Sequence, residues 1–529
     1  MSLRIPVKRF SVRLTVLILV RCSMSLACST VPSQSEPCLH YGNGTVVAVP
    51  DTTIYWQGEM AGEVDQSSVI LRARLAVKET AIFGDVKGQP GVGAFVMWAE
   101  DDPGQAFQTG WMEASAENDY IIKTKITGLQ TGTRYSYKLL SGPRRSSVAA
   151  GPMGTFRTLD ERGVARETSL VAVTSMHRYS FRATALKDLA FHQRALGFPS
   201  LEPIVARSPD YFISTGDSVY YDCPYLGRAK TPGSMRAKWH KQFATPRFIA
   251  LFQTAPVYWM KDDHDYRYDD ADPYGSIDPL AELGARIFLE QVPVVDPQVQ
   301  DPVTYRTHRI NDLLQIWLLE GRDYRDQNSQ PAGPEKTMWG DDQKAWLQET
   351  LAGSDATFKL IISPTPMVGP DDEWTGQQGG ILAPLFGGNP LGQEGDKRKR
   401  DNHTNPFGFR AEAEAFFDWL IDHDLGGDTV FFVCGDRHWQ YHSIHPLGLE
   451  EFSVGALVDG SSRLGPRPGD EQSTDPDGLV LQPYQQDQPG GGFLEVSVYP
   501  SGEETPAAIA FTFYDKYGDG RYRTEREAR

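Results

Sequence analysis

Apolar positions along this chain follow two rhythms, and the change between them divides it. From about residue 45 to 158 they alternate or form brief runs: Val69–Leu75 (VILRARL), Val92–Ala99 (VGAFVMWA), Tyr120–Ile126 (YIIKTKI) and Tyr135–Leu140 (YSYKLL). Turn clusters separate the runs: Asp101-Asp102-Pro103-Gly104, residues 128–132 and Ser141-Gly142-Pro143. Short strands at this spacing predict a β-sandwich. After a linker at Thr155–Arg166, short apolar runs alternate with longer stretches of helical character. Strands are predicted at Ser169–Thr174, Tyr211–Ile213, Val257–Met260, Leu313–Leu319, Phe358–Ile362 and Val430–Cys434, and helices at Leu186–Leu196, Met235–Leu251, Asp341–Leu351 and Ala411–Leu420. Phe493–Val498 and Ile509–Tyr514 close the chain as a hairpin, with Asp515–Gly520 (DKYGDG) read as a turn that lacks the full ligand set of a calcium loop. Strand–helix alternation of this kind indicates an α/β layered domain.

The chemistry collects where the predicted strands end. Tyr211–Ile213 runs through Ser214-Thr215-Gly216 to Asp217, with Tyr220, Tyr221 and Asp222 just beyond. Val430–Cys434 is followed by Gly435-Asp436-Arg437-His438, and Val257–Met260 opens onto Asp262-Asp263-His264-Asp265, with Asp269 and Asp270 further on. Leu313–Leu319 leads into Glu320-Gly321-Arg322-Asp323-Tyr324-Arg325. Open α/β sheets hold ligands at the carboxyl ends of their strands, and carboxylate, phenol and imidazole donors there suit hard or borderline metal ions. Residues 366–410 form a Gly/Pro-rich insert, too long for a plain connection, with Lys397-Arg398-Lys399-Arg400 ahead of Asp401-Asn402-His403-Thr404-Asn405. The basic run reads equally as an attractor for an anionic substrate or as a solvated loop.

Charge and composition narrow the class. A net charge of −17 argues against a nucleic-acid partner. With 50 Gly and 36 Pro the chain is rich in turns and strands. Five Cys, three of them in the first 38 residues, form no disulfide framework, and Cys434 reads as a core residue. Arg4, Lys8, Arg9 and Arg13 precede the apolar Leu14–Val20 and the small residues near Ser25-Leu26-Ala27, the outline of an export signal over residues 1–28. The apolar run is too short for a permanent transmembrane span, and Cys28 is a candidate lipid anchor.

Taken together, STGDSVYYD, MKDDHDYRYDD, EGRDYRD, WGDDQKAWL and VCGDRHW, in that order, resemble the PhoD-like alkaline phosphatases of the calcineurin-like metallophosphatase superfamily. The resemblance implies an α/β fold, a metallophosphatase-type α/β/β/α sandwich over residues 165–515. It is preceded by an all-β domain of fibronectin type III or immunoglobulin-like kind over residues 45–158, whose TGLQTGTRYSYKL stretch fits that type. It implies a secreted, periplasmic or cell-surface hydrolase of phosphomonoesters or phosphodiesters that uses iron and calcium. Carried over residue by residue, it implies Asp217 as bridging carboxylate, Tyr220 as phenolate ligand, and Asp263, Asp436 and His438 as further metal ligands. His403 matches a lone histidine ligand, His264 a leaving-group acid or phosphate contact, and Arg322 an arginine beside the phosphate.

One departure bears on the metal. Where the family has Ser-Cys-Gln, with a thiolate on ferric iron, this chain has Ser175-Met176-His177. A thioether supplies no charge, so either His177 replaces the ligand or the iron site is altered. Two alternatives therefore stand beside the phosphoesterase: a related esterase or sulfoester hydrolase on the same frame, and a binding protein with a degenerate metal site.

Overall fold

The computed structural model describes residues 55–77, 84–188, 191–373 and 398–528. The expected export segment with Cys28, and residues 374–397 of the insert, lie outside the described residues.

Two large sheets organise the α/β part. The centre of the nine-stranded sheet is parallel: Thr168–Val173 beside Tyr211–Ser214 beside Val257–Trp259. The seven-stranded sheet has Leu314–Leu318, Phe358–Ser363, Val430–Cys434 and Glu450–Val454 as its parallel centre. Alternate residues of each strand point to opposite faces, and the burial follows this. Leu170, Ala172, Ile213 and Tyr258 share one apolar cluster with Leu314, Ile316, Leu318, Leu360, Phe431 and Val433 of the other sheet. The alternate residues Val171, Val173, Phe212, Val257 and Trp259 face outward onto the helices Leu201–Arg207, Pro232–Phe243, Pro246–Thr254 and Ala281–Gln291. On the far side Trp317, Ile361, Val430 and Phe432 pack on the helices Gly340–Ala352 and Arg410–Asp422.

The N-terminal strands are split between two sheets. Tyr55–Gly62, Ser68–Ala76 and Ile121–Thr127 extend the nine-stranded sheet, joined to Val257–Trp259 through Gly62 opposite Val257. Gly91–Ala99, Arg134–Arg144 and their short partners form a separate six-stranded sheet. Phe95, Met97, Tyr135 and Tyr137 pack in one cluster with Val69, Leu71 and Ala73.

Several boundaries differ from the sequence reading for local reasons. The single helix expected over Met235–Leu251 is two, because Pro246 cannot continue the first and instead starts the second. The helix expected at Leu186–Leu196 begins earlier, as Arg178–Asp188, followed by Phe191–Leu196. The closing hairpin gains a third strand, Gly520–Glu527, whose alternating charges suit a solvated sheet edge. Asp515–Gly520 is the turn before it, its Asp515 carboxylate accepting the amides of Tyr517 and Asp519.

Candidate metal centre

Parallel strands of both sheets deliver their carboxyl ends to one place. Ser175, Asp217 and Asp436 follow three of them with φ of 52°, 56° and 59°, a left-handed conformation that is uncommon for residues with a side chain. Such strain collects at functional sites. Gly216 is required by close approach: a Cβ there would lie 2.5 Å from Cβ of Asp262. At Gly435 it would lie 2.6 Å from Oγ1 of Thr215, so the two sheets touch at this edge. Asp265 ties the loops together, accepting the amides of Ser218 at 2.9 Å and Asp262 at 2.7 Å. Burial pushes its carboxyl up to about 7 against the pull of those amides.

Asp217, Asp263 and His264 are buried, with one ligand atom from each lying within 4.8 Å of the others. Tyr220 donates from Oη to Oδ2 of Asp217 at 3.0 Å, while Oδ1 of Asp217 is buried without a hydrogen-bond partner. Burial raises the Asp217 carboxyl well above its ordinary range, and Asp263, Asp262 and Asp265 add to this. Burial opposes charge on Asp263 as well, but His264, Arg322 and the Asp270 amide outweigh it and hold that carboxyl low. His264 donates from Nδ1 to Asp222, 3.0 Å from either carboxylate oxygen. Burial alone would lower its pKa, yet Asp222, Asp263 and Asp217 raise it well above the usual value.

The second sheet adds Asp436 and His438. One oxygen of Asp436, Oδ2, has no hydrogen bond, although Nη1 of Arg437 is 3.1 Å away. His438 donates from Nδ1 to the Ser461 carbonyl, which leaves its Nε2 lone pair open. Burial and Arg463 lower its pKa to about 4. Asp217, Tyr220, Asp263 and His264 are thus brought together, and Asp436 and His438 stand at the facing strand end.

Two further expected site residues, Arg322 and His403, are held by protein partners of their own. Arg322 is fully buried, its Nε on Oδ1 of Asp262 at 2.6 Å and its Nη1 on the Ala271 carbonyl at 3.0 Å. These two contacts tie it to the loop that carries Asp263, while its Nη2 is buried without a hydrogen bond, 4.0 Å from Oδ2 of Asp263. His403 bonds through Nε2 to Glu412 at 3.0 Å and packs against Trp339 and Phe409, while its Nδ1 is buried without a hydrogen-bond partner. It belongs to no ligand cluster among the described residues. Met176 is fully buried in the apolar cluster with Val173, Phe181 and Val219.

His177, the alternative ligand considered at this position, is placed as a helix cap. The Ser180 amide donates to its Nδ1 at 2.9 Å, so the neutral ring carries its proton on Nε2 and has no lone pair left for a metal. Three contributors escape a sequence reading of the site. Asp222 lies inside a motif whose spacing gives it no role of its own. Asp262 hides beside Asp263. Asp371 binds Nη2 of Arg437 at 2.9 Å and Nδ2 of Asn402 at 3.0 Å, and no pattern marks it within the Gly/Pro-rich insert.

The family model of PhoD-like phosphatase matches residues 171–464, more than half of the 529 residues. The chain belongs to the PhoD-like phosphatase family. The model of that family's N-terminal domain matches residues 48–160. Among solved structures, one described as PhoD is similar at a TM-score of 0.62 and 16% identity, covering 91% of this chain and 94% of that one. A purple acid phosphatase from yellow lupin (Lupinus luteus) seeds is similar at a TM-score of 0.55 and 11% identity, covering 90% of this chain and 74% of that one. No curated protein matches in sequence. This PhoD-like phosphatase is a metal-dependent phosphoesterase of mixed α/β fold, and among its described residues no helix is long and apolar enough to cross a membrane.

The donor set fits a metal. Crowded buried carboxylates and an orphaned Asp217 oxygen are costly without a cation, and the His438 lone pair completes the donors. Chelation therefore has a defined pH signature. Asp217 is raised well above its ordinary range, and Asp265 and Asp269 are each pushed up to about 7 by burial. These folded-state pKa values exceed the unfolded ones, so between them the native state holds protons that the unfolded state has lost. Stability then falls as pH rises. His438, lowered to about 4, acts in the opposite sense only below the ordinary histidine pKa, so we expect the melting temperature of the chelated protein to drop by a few degrees between about pH 6.5 and pH 8 in scanning calorimetry. A flat or rising profile would contradict the assignment.

Proposed function

We propose that this PhoD-like phosphatase is a secreted hydrolase of phosphomonoesters, phosphodiesters or both. The observation that carries the reading is the Asp217, Asp263 and His264 cluster at the ends of the parallel strands, with its orphaned buried oxygen. Asp217 and Asp263 would hold the cations together with Tyr220, Asp436 and His438. Bound cations supply charge neutralisation at the phosphoryl oxygens and a nucleophile drawn from water near neutral pH. Iron and calcium are the metals proposed from the resemblance. The finer reading of the fold is a helix–sheet–sheet–helix sandwich behind a fibronectin type III-like domain, with export through residues 1–28 and a lipid anchor at Cys28.

His264 is proposed to give a proton to the departing alkoxide. Asp222 fixes its Nδ1–H, and its Nε2 lies 3.7 Å from Oδ1 of Asp269. Asp222→Asn is expected to lower kcat by about 10- to 100-fold, and more for an alkyl phosphate than for a nitrophenyl phosphate, whose leaving group needs little protonation. An equal loss on both substrates would rule out the acid role.

Elemental analysis of the purified protein, followed by assays on phosphate monoesters, diesters and sulfate esters, tests the whole reading. Bound metal with phosphate-ester turnover supports it. Sulfate-ester turnover alone favours the sulfoester hydrolase. A protein that takes up no metal after reconstitution is the binding protein that Met176 leaves room for.

A further inference from the structure

We propose that His177 donates a hydrogen bond from Nε2 to an oxygen of the phosphoryl group bound at this centre, a role that rests on the phosphoesterase reading above. The argument begins with a helix start. His177 stands one residue before the helix Arg178–Asp188, and the amide of Ser180, in its first turn, donates to Nδ1 at 2.9 Å. The imidazole thus does what a Ser or Asp oxygen does at most helix N-termini. An amide can only donate, so Nδ1 must offer its lone pair, and the ring proton is fixed on Nε2. A metal ligand would need the opposite tautomer, which would set two N–H groups against each other and undo the cap.

The ring packs against Tyr220, which bonds to Asp217 of the metal centre. Its centroid lies 4.0 Å from that of Tyr220, the rings tilted at 58°, and Tyr220 in turn stacks on His264 at 4.1 Å. The backbone of the same turn is tied in, with the Met176 amide donating to the Asp217 carbonyl at 2.9 Å. No hydrogen bond to Nε2 occurs among the described residues, and the residue is only 3% exposed. An N–H donor beside an anion-binding centre is strengthened by a charged acceptor, and a phosphoryl oxygen is the acceptor this chemistry would bring. The centre thus has a neutral donor at the turn where Met176 supplies no anionic ligand.

The test uses the full chain as wild type, His177→Phe and His177→Gln. Metal content is read by elemental analysis, and affinity for inorganic phosphate by its inhibition of nitrophenyl phosphate hydrolysis. All three proteins are expected to hold the same metal. His177→Phe should bind phosphate at least about tenfold more weakly, as loss of a hydrogen bond to a charged group predicts, while His177→Gln, which keeps a donor near the Nε2 position, should stay within about threefold. Loss of metal from His177→Phe, or unchanged phosphate affinity, overturns the proposal. Nitrogen NMR of histidine-labelled wild type decides it without a variant that must fold: the proton is expected on Nε2, with a shift of that resonance when phosphate is added. A proton on Nδ1 overturns the proposal alone. A wild-type protein that hydrolyses no phosphate ester and binds no phosphate overturns both this proposal and the phosphoesterase reading.

Discussion

Asp217→Asn is expected to abolish turnover and leave the fold intact. Asp217 is the residue on which the centre converges: its Oδ2 accepts from Tyr220, its Oδ1 has no partner, and its carbonyl anchors the Met176 amide. An amide keeps the shape but loses the charge that would hold two cations together, so a loss of at least about a thousandfold in kcat/KM follows if several kcal/mol of transition-state stabilisation depend on them. The chelated variant should melt no lower than chelated wild type, because removing one of several crowded buried carboxylates relieves repulsion. Activity assays and calorimetry on the same preparation check both halves. Retained turnover would remove Asp217 from the centre.

The second large effect is on stability. Arg322→Met leaves Asp262 buried without its partner, and breaking a buried ion pair from one side costs about 3–5 kcal/mol. Both side chains are inaccessible to solvent and 2.6 Å apart. Replacing both, as Arg322→Met with Asp262→Asn, should recover part of the loss in urea unfolding. An arginine serving only as a phosphate clamp would behave differently, with KM raised and stability unchanged.

The contrast between these residues shows what can be read from sequence. Asp217, Asp263 and Asp436 are legible because each follows an apolar strand, and period and turn chemistry are local properties. Arg322 and His403 are assigned by motif position, and motif position does not show which protein partners a side chain takes. Arg322 is drawn to the buried Asp262 and His403 to Glu412. The strands Gln440–Ile444 and Glu450–Val454 escape the pattern because they are polar yet buried. Their groups are satisfied in pairs: His442 with Glu450 at 2.7 Å, and Tyr441 with Glu451 at 2.8 Å. Such pairing is invisible without the partner strand. The helix Ala281–Gln291 likewise goes unread.

The junction at Gly62 and Val257 has a practical consequence. The strand Val257–Trp259 runs directly into the acidic loop, and on one side its neighbour is the N-terminal strand Tyr55–Gly62. Cutting the chain near residue 165 would turn this interior strand into a raw margin with open amides, prone to recruit another chain. The two parts are therefore poor candidates for separate expression or for shuffling as cassettes, and the N-terminal strands act as a splint along the flank of the catalytic sheet.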